Sequence, residues 1–158
     1  MGLDISIREA TLDDIPEILR HRRGMYEDMD YTEPQSLATM VATSEQYLAQ
    51  ALANCSFRAW FALAGVRVGG GGAVVISPWP SHPYDLECRR ATILNLYVYP
   101  EFRRQGIARR LMQAMIEWCR NQGFAAVSLH ASTDGRHLYE ALGFRPTNEM
   151  RLALKPGT

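Results

Sequence analysis

The chain has 158 residues, 47% of them hydrophobic and 22% charged, which is the size and balance of one globular domain around one core. Its 17 Lys and Arg are offset by 17 Asp and Glu, which removes the basic excess expected of a nucleic-acid binder. No apolar run approaches the roughly 20 residues that span a bilayer, and Asp4, Arg8 and Glu9 interrupt any leader-like stretch, so neither a membrane partner nor a secretory signal is expected.

Met1-Gly2 with Ser6 fits a loose myristoylation pattern but reads as an ordinary start before a strand. Ile5 to Arg8 alternates apolar and polar residues, as a strand does. Thr11 and Asp14 have capping-box spacing, and Pro16 falls in the first turns of a helix running to about Arg23. Met25 to Glu33 is acidic and aromatic and reads as a loop. A second helix spans about Pro34 to Asn54, with Leu37, Met40, Val41, Tyr47, Leu48 and Leu52 near helical spacing.

Phe57 to Leu63 and Val66 to Ser77 read as strands joined by a turn at Ala64-Gly65. Gly69 to Gly72 inside the second implies a bulge or a close approach by another backbone. Pro78, Pro80 and Pro83 make Ser77 to Arg90 a loop. Ala91 to Val98 is the continuous apolar run of a central buried strand, ended by Pro100. Arg104 to Gln122 is an amphipathic helix with Ile107, Leu111, Met115 and Trp118 on one face, stopped by Gly123. Ala125 to Ala131 reads as another buried strand, Thr133 to Leu142 as a short helix, and Phe144 to Leu154 as the last strand or strands. The order predicts a single α/β domain over residues 1–158, with a mixed sheet flanked by helices.

Charge is unevenly distributed. Between Gly24 and Phe57 there is no Lys or Arg, whereas Glu27, Asp28, Asp30, Glu33 and Glu45 lie there. Arg103, Arg104, Arg109 and Arg110 crowd one short segment. Cys55, Cys88 and Cys119 are odd in number and widely spaced, so they frame neither a zinc site nor disulfides and point to a reducing, cytoplasmic setting.

The segment Arg103-Arg104-Gln105-Gly106-Ile107-Ala108 carries the chemistry. It follows a buried strand and opens a helix, whose first N–H groups and positive dipole end suit a phosphate. Gly106 and the small Ala108 admit phosphate oxygens to the backbone. No Gly-Lys-Ser/Thr follows, and the G-x-G-x-x-G spacing is absent, so it is neither a Walker A loop nor a Rossmann fingerprint.

Arg103-x-x-Gly106-x-Ala108 resembles the R/Q-x-x-G-x-G/A signature of the GNAT acetyltransferases. Leu96-Tyr97-Val98-Tyr99-Pro100-Glu101 resembles the strand that precedes it there, and Leu138-Tyr139-Glu140-Ala141-Leu142-Gly143-Phe144 a second family hallmark. The resemblance implies a GNAT-like fold with two splayed central strands, acetyl-CoA as cosubstrate and no metal. It implies that the backbone of Leu96, Tyr97 and Val98 pairs with the pantetheine arm, and that Arg103, Arg104, Gln105, Gly106, Ile107, Ala108 and Arg109 wrap the pyrophosphate. Ser132 stands where many members have Asn, so its pantetheine contact is lost or bridged by water. Arg136 either reaches a CoA phosphate or is solvated. Tyr139 matches the tyrosine near the thioester sulfur, a general acid for the leaving thiolate.

The two central strands carry no Asp or Glu to serve as base. Asn95 is a candidate for positioning a water, His130 a candidate base on the second strand, and a water chain to an outside acid such as Glu87 an open alternative. The function implied is acetyl transfer to a primary amine by direct attack in a ternary complex. The acidic Met25–Glu33 segment points to a small cationic acceptor. A protein N-terminus or lysine is the alternative acceptor, and a non-catalytic acyl-CoA sensor the alternative of another class. Asn148 to Leu154 is the candidate edge for a homodimer.

Overall fold

The computed structural model describes Asp4–Gly157. Met1–Leu3 and Thr158, and with them the Met1-Gly2 start, lie outside the described residues. The elements are β1 (Ile5–Glu9), α1 (Ile15–Asp28), α2 (Pro34–Ala53), β2 (Phe57–Ala64), β3 (Arg67–Pro78), β4 (Arg89–Val98), α3 (Ile107–Asn121), β5 (Val127–Leu129) and α4 (Arg136–Ala141). They build a five-stranded sheet in the order β1-β2-β3-β4-β5, antiparallel except for the β4–β5 pair. This is the mixed sheet with flanking helices that the sequence predicted.

Each face of the sheet is closed by its own apolar cluster. On one face, Ile107, Leu111, Met112 and Met115 of α3 pack on Trp60, Val74 and Ile93, every one of them buried. On the other, Ile18 and Leu19 of α1 and Leu48 and Ala51 of α2 pack on Phe57, Ala59, Phe61 and Ala73. Fully burying each large aliphatic or aromatic side chain contributes about 1.5–3 kcal/mol, so the two clusters fix where β4 runs between them.

The glycine run of β3 is a place of close approach. A Cβ on Gly71 would stand 2.7 Å from His21 Nδ1, one on Gly72 2.7 Å from Met115 Cε, and one on Gly70 would meet the Tyr97 carbonyl oxygen. Both helical layers therefore touch β3 at the backbone, one on each face. The capping expectation also holds: the Thr11 N–H donates to Asp14 Oδ2 at 2.8 Å, and Arg8 clasps both Asp14 oxygens at 2.8 Å. The Arg8 hydrogen bonds are the main reason the Asp14 carboxyl is held down to about 2.

Several boundaries differ from the sequence reading. Met25–Asp28 is helix rather than loop, because α1 continues through Gly24, whose missing side chain lets the Tyr97 ring sit against it. The loop is confined to residues 29–33. α3 begins at Ile107 and not Arg104, since Arg104 and Gly106 both take positive φ. α4 starts only at Arg136. β5 is three residues long and partly exposed, an edge strand rather than a buried one. Among the described residues, Phe144 to Leu154 forms no strand; Met150, Leu152 and Leu154 alternate as a strand would but are 94%, 79% and 86% exposed. No described helix is long and apolar enough to cross a membrane.

Candidate active site

β4 organises the site through two irregularities. Its pairing with β5 stops at Ile93 and Leu129, so from Leu94 to Val98 its β5-facing edge has no strand partner among the described residues and the two strands part. Against β3 it is bulged: Gly71 faces Tyr97 and Ala73 faces Leu94, so Asn95 and Leu96 together oppose Gly72. Asn95 absorbs the bulge at φ 61°, a conformation Asn tolerates better than most residues. The bulge also resets the alternation of side chains. Leu96 and Val98 pack with α3, while Tyr97 turns to α1 and lies against Gly24 and 5.6 Å from the His21 ring. Of the three residues expected to hold pantetheine, Leu96, Tyr97 and Val98, it is the backbone edge that faces the parting.

The chain leaves β4 and enters α3 through a backbone concavity. Arg104 has φ 60° and Gly106 φ 78°, and α3 begins without a side-chain cap. The first helical bond runs from the Arg110 N–H to the Gly106 carbonyl at 3.1 Å, so the N–H groups of Ile107, Ala108 and Arg109 precede it. The Ile107 side chain, 1% exposed, anchors this turn in the core. Arg104, Arg109 and Arg110 are exposed and form no ion pair with any described residue. An uncapped helix start beside two left-handed residues fits a diphosphate. Arg103 is employed otherwise. It donates to Asp28 Oδ2 at 2.5 Å and to the Val98 carbonyl at 2.9 Å, tying α1 to the end of β4. Gln105 donates to the Glu101 carbonyl at 3.3 Å.

Tyr139, His130 and Arg136 line one groove of about 610 Å³ along β5. Tyr139 is half-buried against Gly135 and the Phe144 ring, and burial raises its pKa above the ordinary value, which keeps the phenol protonated. Arg136 donates to Glu140 at 2.7 Å, and Ser132 Oγ accepts the Gly135 N–H at 3.1 Å. Both are thus engaged within α4 and its approach. Glu87 lies in the exposed loop before β4, 3.6 Å from Arg89, and lines neither cavity.

Asn95 is not in that groove. It is 5% exposed and lines a second cavity of about 300 Å³ between α1, α2 and β4. Its amide donates to the Ile18 carbonyl at 3.4 Å and accepts from Arg22 Nη1 at 3.2 Å. Arg22, Thr43, Ser44 and Tyr47 supply the polar lining, and none was singled out from sequence. The available signal was one helical stripe, Ile18-Arg22-Tyr26, in which a cation interrupts an apolar face. Next to it, the His21 ring is 1% exposed, with Nε2 3.2 Å from Glu17 Oε1, the oxygen that accepts from the Tyr99 hydroxyl at 2.7 Å. Burial pushes His21 down to about 4, and burial with the Glu17 contact pushes Tyr99 up to about 12.

The acidic segment between the first two helices is largely committed to structure. Glu27 pairs with Arg23 at 2.8 Å, Asp28 with Arg103, and Glu33 accepts the Gln35 and Ser36 N–H groups at the start of α2. Tyr26 and Tyr31 stack edge to face on each other, 5.4 Å apart. Among the described residues no three His, Cys, Asp or Glu stand together to hold a metal ion.

The model of the Acetyltransferase (GNAT) family matches residues 17–144. Human N-acetyltransferase 8 is 30% identical over 93 residues, 57% of this chain and 39% of that protein; the chain spans about two fifths to one half of the curated relatives it matches. A GCN5-related N-acetyltransferase from Ralstonia eutropha JMP134 superposes with a TM-score of 0.87 at 31% identity, covering 96% of this chain and 99% of that one. A predicted acetyltransferase from Clostridium acetobutylicum, solved with acetyl-CoA, superposes at 0.85 and 23% identity, covering 96% and 97%. On the family match across most of its length, together with the parted strands and the open helix start, this chain belongs to the GNAT acetyltransferase family.

Proposed function

We propose that this chain is an acetyl-CoA-dependent N-acetyltransferase that acts on the primary amine of a small acceptor, with both substrates bound at once. The observation that carries the reading is the unpaired edge of β4 leading directly into the uncapped start of α3. The strand edge suits the amide-bearing pantetheine arm, and the Ile107, Ala108 and Arg109 N–H groups suit the diphosphate. The amine nitrogen attacks the thioester carbon and the C–S bond breaks. The nitrogen sheds a proton to water, the sulfur gains one from the Tyr139 hydroxyl, and the tyrosine is reprotonated from solvent. A fold relative solved with CoA is an aminoglycoside N-acetyltransferase, and another such enzyme was solved with sisomicin, which supports an amine acceptor.

The 300 Å³ cavity on the far side of the β4 bulge supports a small acceptor rather than a folded protein tail. The ground for a cationic acceptor is weakened, because Glu27, Asp28 and Glu33 already have partners. Free cysteines at positions 55, 88 and 119 support a reducing compartment such as the cytoplasm. Exposed Met150, Leu152 and Leu154, and the short edge strand β5, support pairing of two copies.

The test is thiol release from acetyl-CoA across an amine panel, with mass spectrometry of the products. An N-acetylated product supports the reading. Acetyl-CoA binding without release, for every amine, overturns it in favour of an acyl-CoA sensor.

A further inference from the structure

The arginines sort by partner. Arg8, Arg20, Arg23, Arg58, Arg67, Arg89, Arg103, Arg120, Arg136 and Arg151 each form an ion pair with a carboxylate. Of the others, Arg104, Arg109 and Arg110 surround the helix start assigned to phosphate. Arg90 is exposed and stacks on the Trp79 ring at 3.7 Å, and Arg145 is exposed. Arg22 differs from all of these. It is half-buried, its guanidinium opens into the α1–α2 cavity, and it forms no ion pair with any described residue.

Its position is held. Nη1 donates to Asn95 Oδ1 at 3.2 Å, Nη2 donates to the Tyr26 hydroxyl at 3.5 Å, and the group lies 5.3 Å from the Tyr26 ring centroid. A guanidinium has five N–H donors in a fork that matches a carboxylate, and these contacts leave most of them unused. A half-buried cation without a counter-ion is costly to keep unless a ligand supplies one. Its described lining contributes no Asp or Glu; the other polar groups are the Asn95 amide and the hydroxyls of Thr43, Ser44 and Tyr47. Arg22 is therefore the one charged group in the cavity, and it sits on the residue that forms the β4 bulge.

We infer that the acceptor is an amine bearing a carboxylate close to its nitrogen, of amino-acid class, and that Arg22 binds that carboxylate. The inference rests on the acetyl-transfer reading above. Arg22 touches Asn95 at the bulge, so a carboxylate held by its fork keeps an amine one carbon away beside β4, where the strands part. The same cation disfavours a second positive charge on the acceptor and helps the reacting amine shed its proton. Leu48, Phe57 and Val75 leave an apolar wall for the acceptor's side chain.

The test uses the full chain and matched amines: phenylalanine, phenylalaninamide, phenethylamine and spermidine, scored by kcat/KM. Phenylalanine is expected to exceed both of its carboxylate-free counterparts by about 10–100-fold, the range of a hydrogen bond to a charged group. Arg22→Gln should collapse that ratio towards one, and Arg22→Lys should restore part of it, with acetyl-CoA affinity and the melting temperature followed in each variant. Equal use of the matched amines, a preference for spermidine, or an Arg22→Gln loss that is the same for all of them overturns the inference and leaves Arg22 a brace for the bulge. Calorimetry with N-acetylphenylalanine and N-acetylphenylalaninamide separates the two readings. A carboxylate preference in binding with no turnover of any amine supports this inference and defeats the transfer reading; turnover without the preference does the reverse.

Discussion

The start of α3 and the α1–α2 cavity flank the same strand and are built on different principles. The first is made of backbone: three N–H groups and two left-handed residues, one of them a glycine, with arginine side chains as exposed additions. The second is made of side chains drawn from α1, α2 and β4, with Arg22 and Asn95 meeting across 73 positions of sequence. A backbone site presents the same groups whatever side chains surround it, which suits an invariant cosubstrate. A side-chain site changes its chemistry with single substitutions, which suits an acceptor that differs among relatives.

The contrast is most easily broken at Gly106. Gly106→Glu with Arg104→Glu should weaken acetyl-CoA binding by about 10³-fold in calorimetry, because it adds two negative charges and a side chain at φ 78° where charged hydrogen bonds form. Arg104→Ala or Arg109→Ala alone should cost less than about tenfold, since exposed charges contribute only about 0–1 kcal/mol. If the single alanine variants match the double variant, the cradle is made of side chains after all.

A smaller effect is expected at Tyr139. Tyr139→Phe should lower kcat by about 10²-fold with acetyl-CoA affinity retained, the contribution of a positioned acid. Wild-type turnover, with chemistry shown to limit the rate, would reduce Tyr139 to a packing residue against Phe144.

The His21 cluster beside the α1–α2 cavity gives a pH signature. Its folded pKa is about 4 against an ordinary 6.5, so between those values the unfolded chain binds more protons than the folded one. Stability should therefore fall as pH drops from about 6.5 towards 4, and stay level in this respect above 6.5. Asp14, held at about 2, acts in a lower window, its stabilisation fading as pH falls from about 4 towards 2. Melting curves across pH 4–7, with NMR of the His21 ring, check this; a ring protonated near pH 6.5 would mean that α1 is looser over β4 than its burial indicates. The least consequence for the site is expected from the C-terminal segment. If the proposed pairing forms, Met150→Lys with Leu152→Lys should leave a monomer in sedimentation while acetyl-CoA affinity stays within about twofold, since the proposed cofactor groups belong to β4 and α3.

Local chemistry made the strand–loop–helix from β4 to α3 legible in advance. Free N–H groups at a helix start, a glycine that leaves room beside them and an apolar stripe through Ile107, Leu111 and Met115 each follow from a few adjacent residues, and so they were legible in the chain; the positive φ of Arg104 and Gly106, which moves the helix start to Ile107, was not. The glycine run in β3 was legible for the same reason, as a place where other groups crowd the backbone. What no short window contained was the partner of each group. Glu27, Asp28 and Glu33 read as a free acidic loop until α1 ran on to Asp28 and set two of them against arginines. Met150, Leu152 and Leu154 alternate as a strand, but a strand exists only when a neighbour takes its hydrogen bonds, and within the described residues none does. Arg22 was not singled out from sequence; only the packing of α1 over the β4 bulge makes it the single charge in the described lining of a cavity, because burial and the absence of a counter-ion are properties of the assembled layers and not of the helix that carries it.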